Sequence, residues 1–320
     1  MDPIKRERIE LLKRAVEAYA NCQSSSEGTV ETPVPGLRMK YITAPRSGQH
    51  SIYRPLVCVI LQGTQRMTVG REERVFFPGQ SAIVSADMPV TGQILTASRD
   101  EPFIAVAVEL EMATLRELAA QMGGVRPDQR PSGTCNLFAA DTETAMLDSI
   151  LRLIQLINRP EAMQLLRPGI MQELHYWLLS GPHGAALQTL SDPNSHAGRL
   201  AAAIAILRAE YRSRVPVERL ASAAAMSLTA FHKHFKQMTS LTPGQYQKRL
   251  RLIEARRLML DEGLSATSAA FEVGYESVSQ FTHDYGRLFK APPKRDALRI
   301  QAASRWINED MRGDERANAA

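Results

Sequence analysis

His232, Lys233 and His234 spell the one His-x-His in this chain, a pattern by which a strand can aim two imidazoles at a single metal ion. Their surroundings read as a helix instead, and on a helix residues two apart diverge. The other histidines, His50, His175, His183, His196 and His283, are scattered, and His50 falls in a Gly/Ser-rich stretch expected to be a loop. Cys22, Cys58 and Cys135 are widely separated with no CxxC pair, which fits a reducing compartment and argues against a disulfide framework or zinc ribbon. Cys58 lies in an apolar run and is expected to be an inert core thiol. No Gly-rich phosphate loop, GxSxG elbow or HExxH is present. No catalytic residue, metal site or cofactor is expected.

What does recur is a pair of helices. Residues 217–246, VERLASAAAMSLTAFHKHFKQMTSLTPGQY, and 266–296, ATSAAFEVGYESVSQFTHDYGRLFKAPPKRD, carry one layout about fifty residues apart. Each has an alanine-rich short helix, a turn, a Ser-bearing entry to a second helix, an aromatic core and then Pro. The turns are Ala225-Met226-Ser227 and Gly274-Tyr275-Glu276-Ser277. This is a helix-turn-helix layout, whose second helix can enter a major groove. Two copies imply a grip on two successive groove segments.

Leu220, Met226, Phe231 and Phe235 have the spacing of a buried face, and Phe271, Val273, Tyr275, Phe281, Tyr285 and Phe289 repeat it in the second copy. Gly274 is expected to supply a turn with positive φ. Residues 244–260 read as one long helix with Pro243 near its start. Leu250, Ile253, Ala255 and Leu258 are expected to pack, with Lys248, Arg249, Arg251, Arg256 and Arg257 facing outward or pairing locally. Such a stiff connector fixes the separation of two reading heads.

Charge follows the doubled motif. The chain of 320 residues has 39 Lys+Arg and 34 Asp+Glu, a net +5. Residues 195–300 hold 17 basic and 9 acidic residues, +8, leaving 22 and 25 elsewhere, −3. Positive charge gathered on the repeated segment is what phosphate binding requires. No apolar run approaches a membrane span, and the opening MDPIKRERIELLKRAVEAY is too charged for a secretory signal. It reads as an amphipathic helix carrying Ile9, Leu12, Val16 and Tyr19. A cytoplasmic protein of two domains is expected.

The elements that carry these residues can be placed by texture. Residues 21–32 read as a loop. From Gly36 to about Leu110, runs such as LVCVILQG (56–63), RMTVG, RVFFPG, QSAIVSADMP, GQILTAS and FIAVAVEL alternate with turn residues every 8 to 12 positions, which predicts a small sandwich or barrel. MATLRELAAQM is a short helix, followed by a loop with Gly123-Gly124, Pro127, Pro131 and Gly133. A helix pair follows at 141–158, capped by Asp141 or Thr142, and at about 168–179. Its apolar stripes, with Met146 among the positions read as outward, suit a role in joining two subunits. The Gly/Pro/Asp cluster of 181–196 marks the domain boundary, near 191–195.

With these residues in place, the chain resembles the AraC/XylS family of bacterial transcription regulators. The C-terminal resemblance rests on Leu220-Ala221, Met226-Ser227, Phe231, Phe235-Lys236, Pro243, Tyr246, Arg251, Leu252, Ala255, Arg256, Gly274-Tyr275, Ser277, Phe281, Phe289 and Pro292-Pro293. In the N-terminal part, Tyr53-Arg54-Pro55-Leu56, Leu61-Gln62-Gly63 and Asp87-Met88-Pro89-Val90 resemble a subset with a cupin-like sensor domain. The resemblance implies an α+β protein in three parts. Residues 1–190 would form a cupin-like β-barrel sensor with flanking, dimerising helices. Residues 195–300 would form an all-α DNA-binding domain of two helix-turn-helix modules joined by a linker helix, and 301–320 a tail.

Matching the motif assigns Thr229, His232 and Lys233, then Val278, Ser279 and His283, as base-reading positions, each of which could instead be solvent-facing filler. Lys236, Gln280 and Thr282 are assigned to phosphate contacts, which position a protein without specifying bases. His283 stands where relatives place Arg, and Val278 can touch a thymine methyl but cannot hydrogen-bond a base edge. Lys290 replaces the usual Gly, and Ala266 and Ala269 stand where larger aliphatics are common, so the second module is expected to read more weakly. The implied partners are promoter DNA, RNA polymerase, an unidentified small-molecule effector and a second copy of the chain. Two other readings compete. A cupin-type metal-dependent enzyme fused to a DNA-binding module would need a His/Glu ligand set on the barrel strands. An architectural DNA protein would leave a whole barrel without purpose.

Overall fold

The structure, a computed structural model, describes residues 2–22, 28–70, 72–84, 86–123 and 137–300. Cys135, the Gly/Pro loop of 124–133 and the expected tail of 301–320 lie outside the described residues. The N-terminal half is an antiparallel sheet domain and the C-terminal half is helical.

Strands β1 (Thr29–Glu31), β2 (Leu37–Ile42), β3 (Arg46–Tyr53), β4 (Leu56–Gln62), β5 (Thr64–Val69), β6 (Glu72–Phe76), β7 (Gln80–Val84), β8 (Met88–Thr96), β9 (Phe103–Glu109) and β10 (Leu137–Asp141) build two sheets. One has the order β1-β2-β9-β4-β7-β10, the other β3-β8-β5-β6. Period-two alternation decides which side chain goes where. On β4, Leu56, Cys58 and Ile60 enter the core that also holds Met67, Phe76 and Ile94 of the opposing sheet. Val57, Val59 and Leu61 face the other way, into a second core shared with helices. The strand is thus buried on both faces, which is why its sequence reads as an unbroken apolar run. Burial pushes the Cys58 thiol pKa up, as expected for an unreactive core thiol.

Helices α1 (Pro3–Ala20), α2 (Met112–Gln121), α3 (Thr144–Gln155), α4 (Pro160–Ser180) and α5 (Gly184–Ser191) cover that outer face. Ile9, Leu12 and Val16 of α1 are buried there, on the stripe the sequence marks. Several expectations give way to the structure. Residues 29–31, read as loop, pair with β2 as a short edge strand. His50 lies on β3 rather than in a loop, 3.1 Å from the Thr91 hydroxyl on β8. Asp141 ends β10 and Thr142 follows it, so neither caps α3, whose N-cap is Glu143. Helix α4 starts at Pro160, eight residues before the expected start, and Pro168 sits inside it. That proline is on the exposed side, where water can take up the carbonyl its ring leaves unpaired. Helix α5 forms within the stretch read as a boundary because Ala186 and Leu187 are drawn into the helical core.

The helical half comprises α6 (His196–Ala209), α7 (Val217–Ala223), α8 (Leu228–Thr239), α9 (Pro243–Asp261), α10 (Ala266–Glu272) and α11 (Val278–Phe289). It packs on the barrel through a shared apolar core and through close contacts that include the following three. The guanidinium of Arg208 on α6 pairs with Asp87, at the start of the motif that leads into β8. The turn at Gly70 (φ 60°) lies so close to Ser240 that a Cβ there would meet Oγ at 2.2 Å. His50 meets the Phe289 ring edge-on at 5.6 Å. Burial, then the nearby Arg249 and Arg256, hold the His50 pKa down to about 4. No described helix is long and apolar enough to cross a membrane.

Candidate nucleic-acid interface

Both second helices start by the same device. The Ser227 hydroxyl accepts the Ala230 amide and the Ser277 hydroxyl accepts the Gln280 amide, each at 3.3 Å, so one orphan donor of each helix start is satisfied. Both end in a left-handed residue that is not glycine, Ser240 (φ 60°) and Lys290 (φ 59°). The cores are aromatic. Phe231, Phe235 and Tyr246 pack in the first module, and Tyr275, Phe281, Tyr285 and Phe289 in the second, with centroids 4.4 to 5.6 Å apart. Phe271, expected in the second core, is 55% exposed on α10. Ala269 and Ala270 fill the inner positions of that short helix, and Phe271, two residues beyond Ala269, falls about 200° further round it, on the outer face.

Helix α9 serves both modules. Tyr246 belongs to the first core, while Leu252, Ala255, Leu258 and Met259 belong to the second. Arg257 pairs locally with Glu254, as expected, but Arg251 and Arg256 are fasteners to distant segments rather than outward or locally paired charges. Arg251 donates to the carbonyls of Tyr211 (2.6 Å), Arg212 (3.0 Å) and Gly274 (2.9 Å), tying the loop before α7 to the turn of the second module. Gly274 has φ 87°, as its place in the turn requires, and a Cβ there would lie 1.9 Å from the Arg212 carbonyl oxygen. Arg256 donates to Asp296 at 2.9 Å and lies 4.9 Å over the Phe289 ring, while the Tyr285 hydroxyl donates to the same carboxylate. Asp284 turns inward and pairs with Lys248 at 2.9 Å.

The outward faces then present themselves. Thr229, His232, Lys233 and Lys236 are all exposed on α8, opposite Phe231 and Phe235. His232 borders a recess with Val217, Pro243 and Gln247, and Lys236 lies beside Thr68 and Gly70 of the barrel. On α11, Ser279, Gln280, Thr282 and His283 are exposed and Val278 is half-buried. The Thr282 hydroxyl donates back to the Val278 carbonyl at 2.8 Å. At 3.6 residues per turn, Ser279, His283 and Arg287 succeed one another along one stripe. Arg287 is absent from the sequence-based assignment, although its spacing of four from His283 marks it. Lys233, Lys236 and Arg287 have no carboxylate partner among the described residues. His234 diverges from His232 and stacks on His196 of α6 at 3.9 Å. Among the described residues no three His, Cys, Asp or Glu side chains are placed to hold a metal ion.

Comparison with known proteins agrees with this architecture. Residues 33–186 match the family described as AraC-type transcriptional regulator N-terminus, and residues 220–311 match a helix-turn-helix domain family. The chain is 31% identical over 159 residues to the HTH-type transcriptional activator RhaS of Pectobacterium carotovorum, covering 50% of this chain and 54% of RhaS. It is 37% identical over 103 residues to RhaS of Escherichia fergusonii, covering 32% of this chain and 37% of that protein. The chain thus spans about half, or less, of the length of these curated relatives. In fold it is similar to apo ToxT of Vibrio cholerae, with a TM-score of 0.59 at 8% identity over 86% of this chain and 99% of ToxT. The unsaturated-fatty-acid-bound form of ToxT gives the same TM-score and identity over 82% and 94%. An AraC-type N-terminus followed by a helix-turn-helix domain places this chain in the AraC family of transcriptional regulators.

Proposed function

We propose that this chain is a sequence-specific DNA-binding transcriptional regulator whose N-terminal part, residues 1–190, responds to a small-molecule effector. Residues 195–300 would bind promoter DNA in the cytoplasm and present a surface to RNA polymerase. The observation that carries this reading is the pair of helix-turn-helix modules cross-braced through α9, each with a polar outward face and at least one cation that has no carboxylate partner among the described residues. Thr229, His232, Lys233, Ser279, His283 and Val278 would meet base edges, and Lys236, Gln280, Thr282 and Arg287 the phosphates. Effector response is supported by the fold shared with ToxT, one structure of which holds an unsaturated fatty acid. Selection of binding sites by the full chain from random duplexes should enrich two half-motifs about one helical turn, roughly 10 bp, apart. Enrichment of a single short motif, or of none, would defeat the two-groove reading.

Self-association through α3 and α4 also stands as a proposal, with its surface moved. Met146 is only 4% exposed, because it faces the core between α1 and the sheet, and it cannot be an outward contact. Leu165 (82% exposed), Leu166 and Tyr176 on α4 are the outward apolar residues. Burying two leucines contributes about 1.5–3 kcal/mol each, enough to decide a modest dimer. Leu165→Glu with Leu166→Glu should give a folded monomer by light scattering from a dimeric parent. A parent already monomeric at working concentration would remove this proposal.

A further inference from the structure

His196 opens α6, His234 lies on α8, and their rings stack with centroids 3.9 Å apart at an interplanar angle of 19°. Each ring presents its face to the other, so the nitrogen lone pairs, which lie in the ring planes, do not converge on a shared metal ion. The pair sits at a junction. Ala186 and Leu187 of α5 are buried in the core of the N-terminal half, and only residues 192–195 separate the end of α5 at Ser191 from His196. The Ser195 hydroxyl accepts the Gly198 amide at 3.0 Å and donates to the Asp192 carbonyl at 2.7 Å, which fixes the start of α6. On α8, at about 100° per residue, His234 lies on the flank between the buried Phe231 and Phe235 and the outward Lys233. The aromatic core holds the inner side of α8, and the stack grips a second side, so together they set its rotation about its own axis.

The charges around these rings are cationic. Arg199, one turn on in α6, donates to His196 Nδ1 at 3.3 Å, so that nitrogen serves as an acceptor, and Lys233 stands beside His234. The positive end of α6 lies at His196 as well. Asp192, the carboxylate before α6, accepts the Asn194 amide at 2.9 Å. Helix α5, strand β8 and the first turn of α9 carry no charged residue, and Arg219 of α7 pairs with Glu210 at the opposite end of α6. Desolvation, then His234, Arg199 and Lys233, hold the His196 pKa below its usual value. We propose that the His196–His234 stack is a pH-sensitive positioning contact for the reading helix α8. As neutral rings the pair holds the angle at which Lys233 meets a base edge, and a proton on either ring releases it. Because the unstacked ring takes a proton more readily, the stack is intact above the ordinary histidine pKa of about 6.5. Below that value it weakens by up to about tenfold per ring for each unit of pH. Site-specific binding is therefore stronger at neutral than at mildly acidic pH.

This inference rests on the DNA-binding reading, which fails separately if the full chain binds no duplex at neutral pH. The full-length parent, His196→Phe and His196→Ala are compared on a duplex selected by the full chain, at fixed salt and at about pH 7.5 and about pH 5.5, one unit either side of the ordinary histidine value. Phenylalanine keeps a ring to stack and takes no proton, whereas alanine removes the ring. At the higher pH His196→Phe should match the parent, and His196→Ala should bind roughly threefold to tenfold more weakly, the worth of an aromatic pair. At the lower pH the parent should fall to the level of His196→Ala while His196→Phe keeps its lead, protonation of His232 and His283 being common to all three. In the free chain, followed by NMR, His234→Phe should raise the pH at which the His196 ring titrates, since one neighbour that opposes the proton is gone. Equal affinity of the parent and His196→Ala at the higher pH, or a ratio of His196→Phe to parent that is the same at both, would overturn the proposal. If no duplex binds, the free chain decides, and a His196 ring that titrates at the same pH in the parent and His234→Phe overturns it.

Discussion

Asp296→Ala should destabilise the second module by about 3–5 kcal/mol, the loss typical when one member of a buried ion pair is removed. The carboxylate is 1% exposed and accepts from Arg256 at 2.9 Å, from the Tyr285 hydroxyl at 2.9 Å and from Arg299 at 3.1 Å. Its removal takes from the Arg256 guanidinium, only 14% exposed, the buried carboxylate to which it donates, and from the Tyr285 hydroxyl the acceptor 2.9 Å away. Arg256 also lies over Phe289, which meets His50 of the barrel, so the damage reaches the contact between the two halves. Asp296→Asn keeps an acceptor for Tyr285 and should lose less. Urea unfolding followed by tyrosine fluorescence would read the change as a shift of the transition that reports the helical half. A shift equal to that of an exposed control such as Glu262→Ala would show that the three-way bond contributes nothing.

The doubled module was legible because it is written in residues with one structural use each. Ser227 and Ser277 are caps, Phe231 and Phe281 are core, and Gly274 is a turn residue that must also leave room for the Arg212 carbonyl. The barrel was legible for the same reason, since β-branched runs between turn residues have few alternatives. What could not be read locally depends on distant partners. Nothing near Arg251 in sequence says that it will hold carbonyls about forty residues upstream, or that Arg256 will find Asp296. Such side chains look like outward charges until the chain folds back. His50 deceived in the same way, because Gly48 and Ser51 suggest a loop while pairing with β8 makes a strand. Phe271 erred in the other direction. An aromatic in a short helix reads as core, but alanines occupy the inner face. Met146 and Leu165 show that an apolar stripe tells how much surface a helix hides without telling which neighbour hides it.

Lys233→Ala should weaken binding to a preferred site by about 1–3 kcal/mol and relax preference at one base position, the cost of losing a good base contact. The two outward faces differ in kind. On α8 an exposed lysine without a carboxylate partner stands one turn after Thr229, offering a charge-assisted donor toward a guanine edge. On α11 the equivalent place holds His283, whose Nδ1 lies 3.8 Å from the Asp284 carboxylate, between Ser279 and Arg287. An imidazole offers a base edge a weaker donor than an ammonium, and Lys233 has no carboxylate partner among the described residues. His283→Ala should therefore cost less than Lys233→Ala. Arg287→Ala and Lys236→Ala, changes to longer cations at the ends of the two stripes, should weaken all sequences alike and lower the salt slope by roughly one unit each. A panel of single-base site variants, titrated against the full-length parent and the four alanine variants at fixed salt, separates these outcomes. If His283→Ala loses more than Lys233→Ala, the second module is the stronger reader, and the polar stripe of Ser279, His283 and Arg287 carries the specificity assigned here to α8.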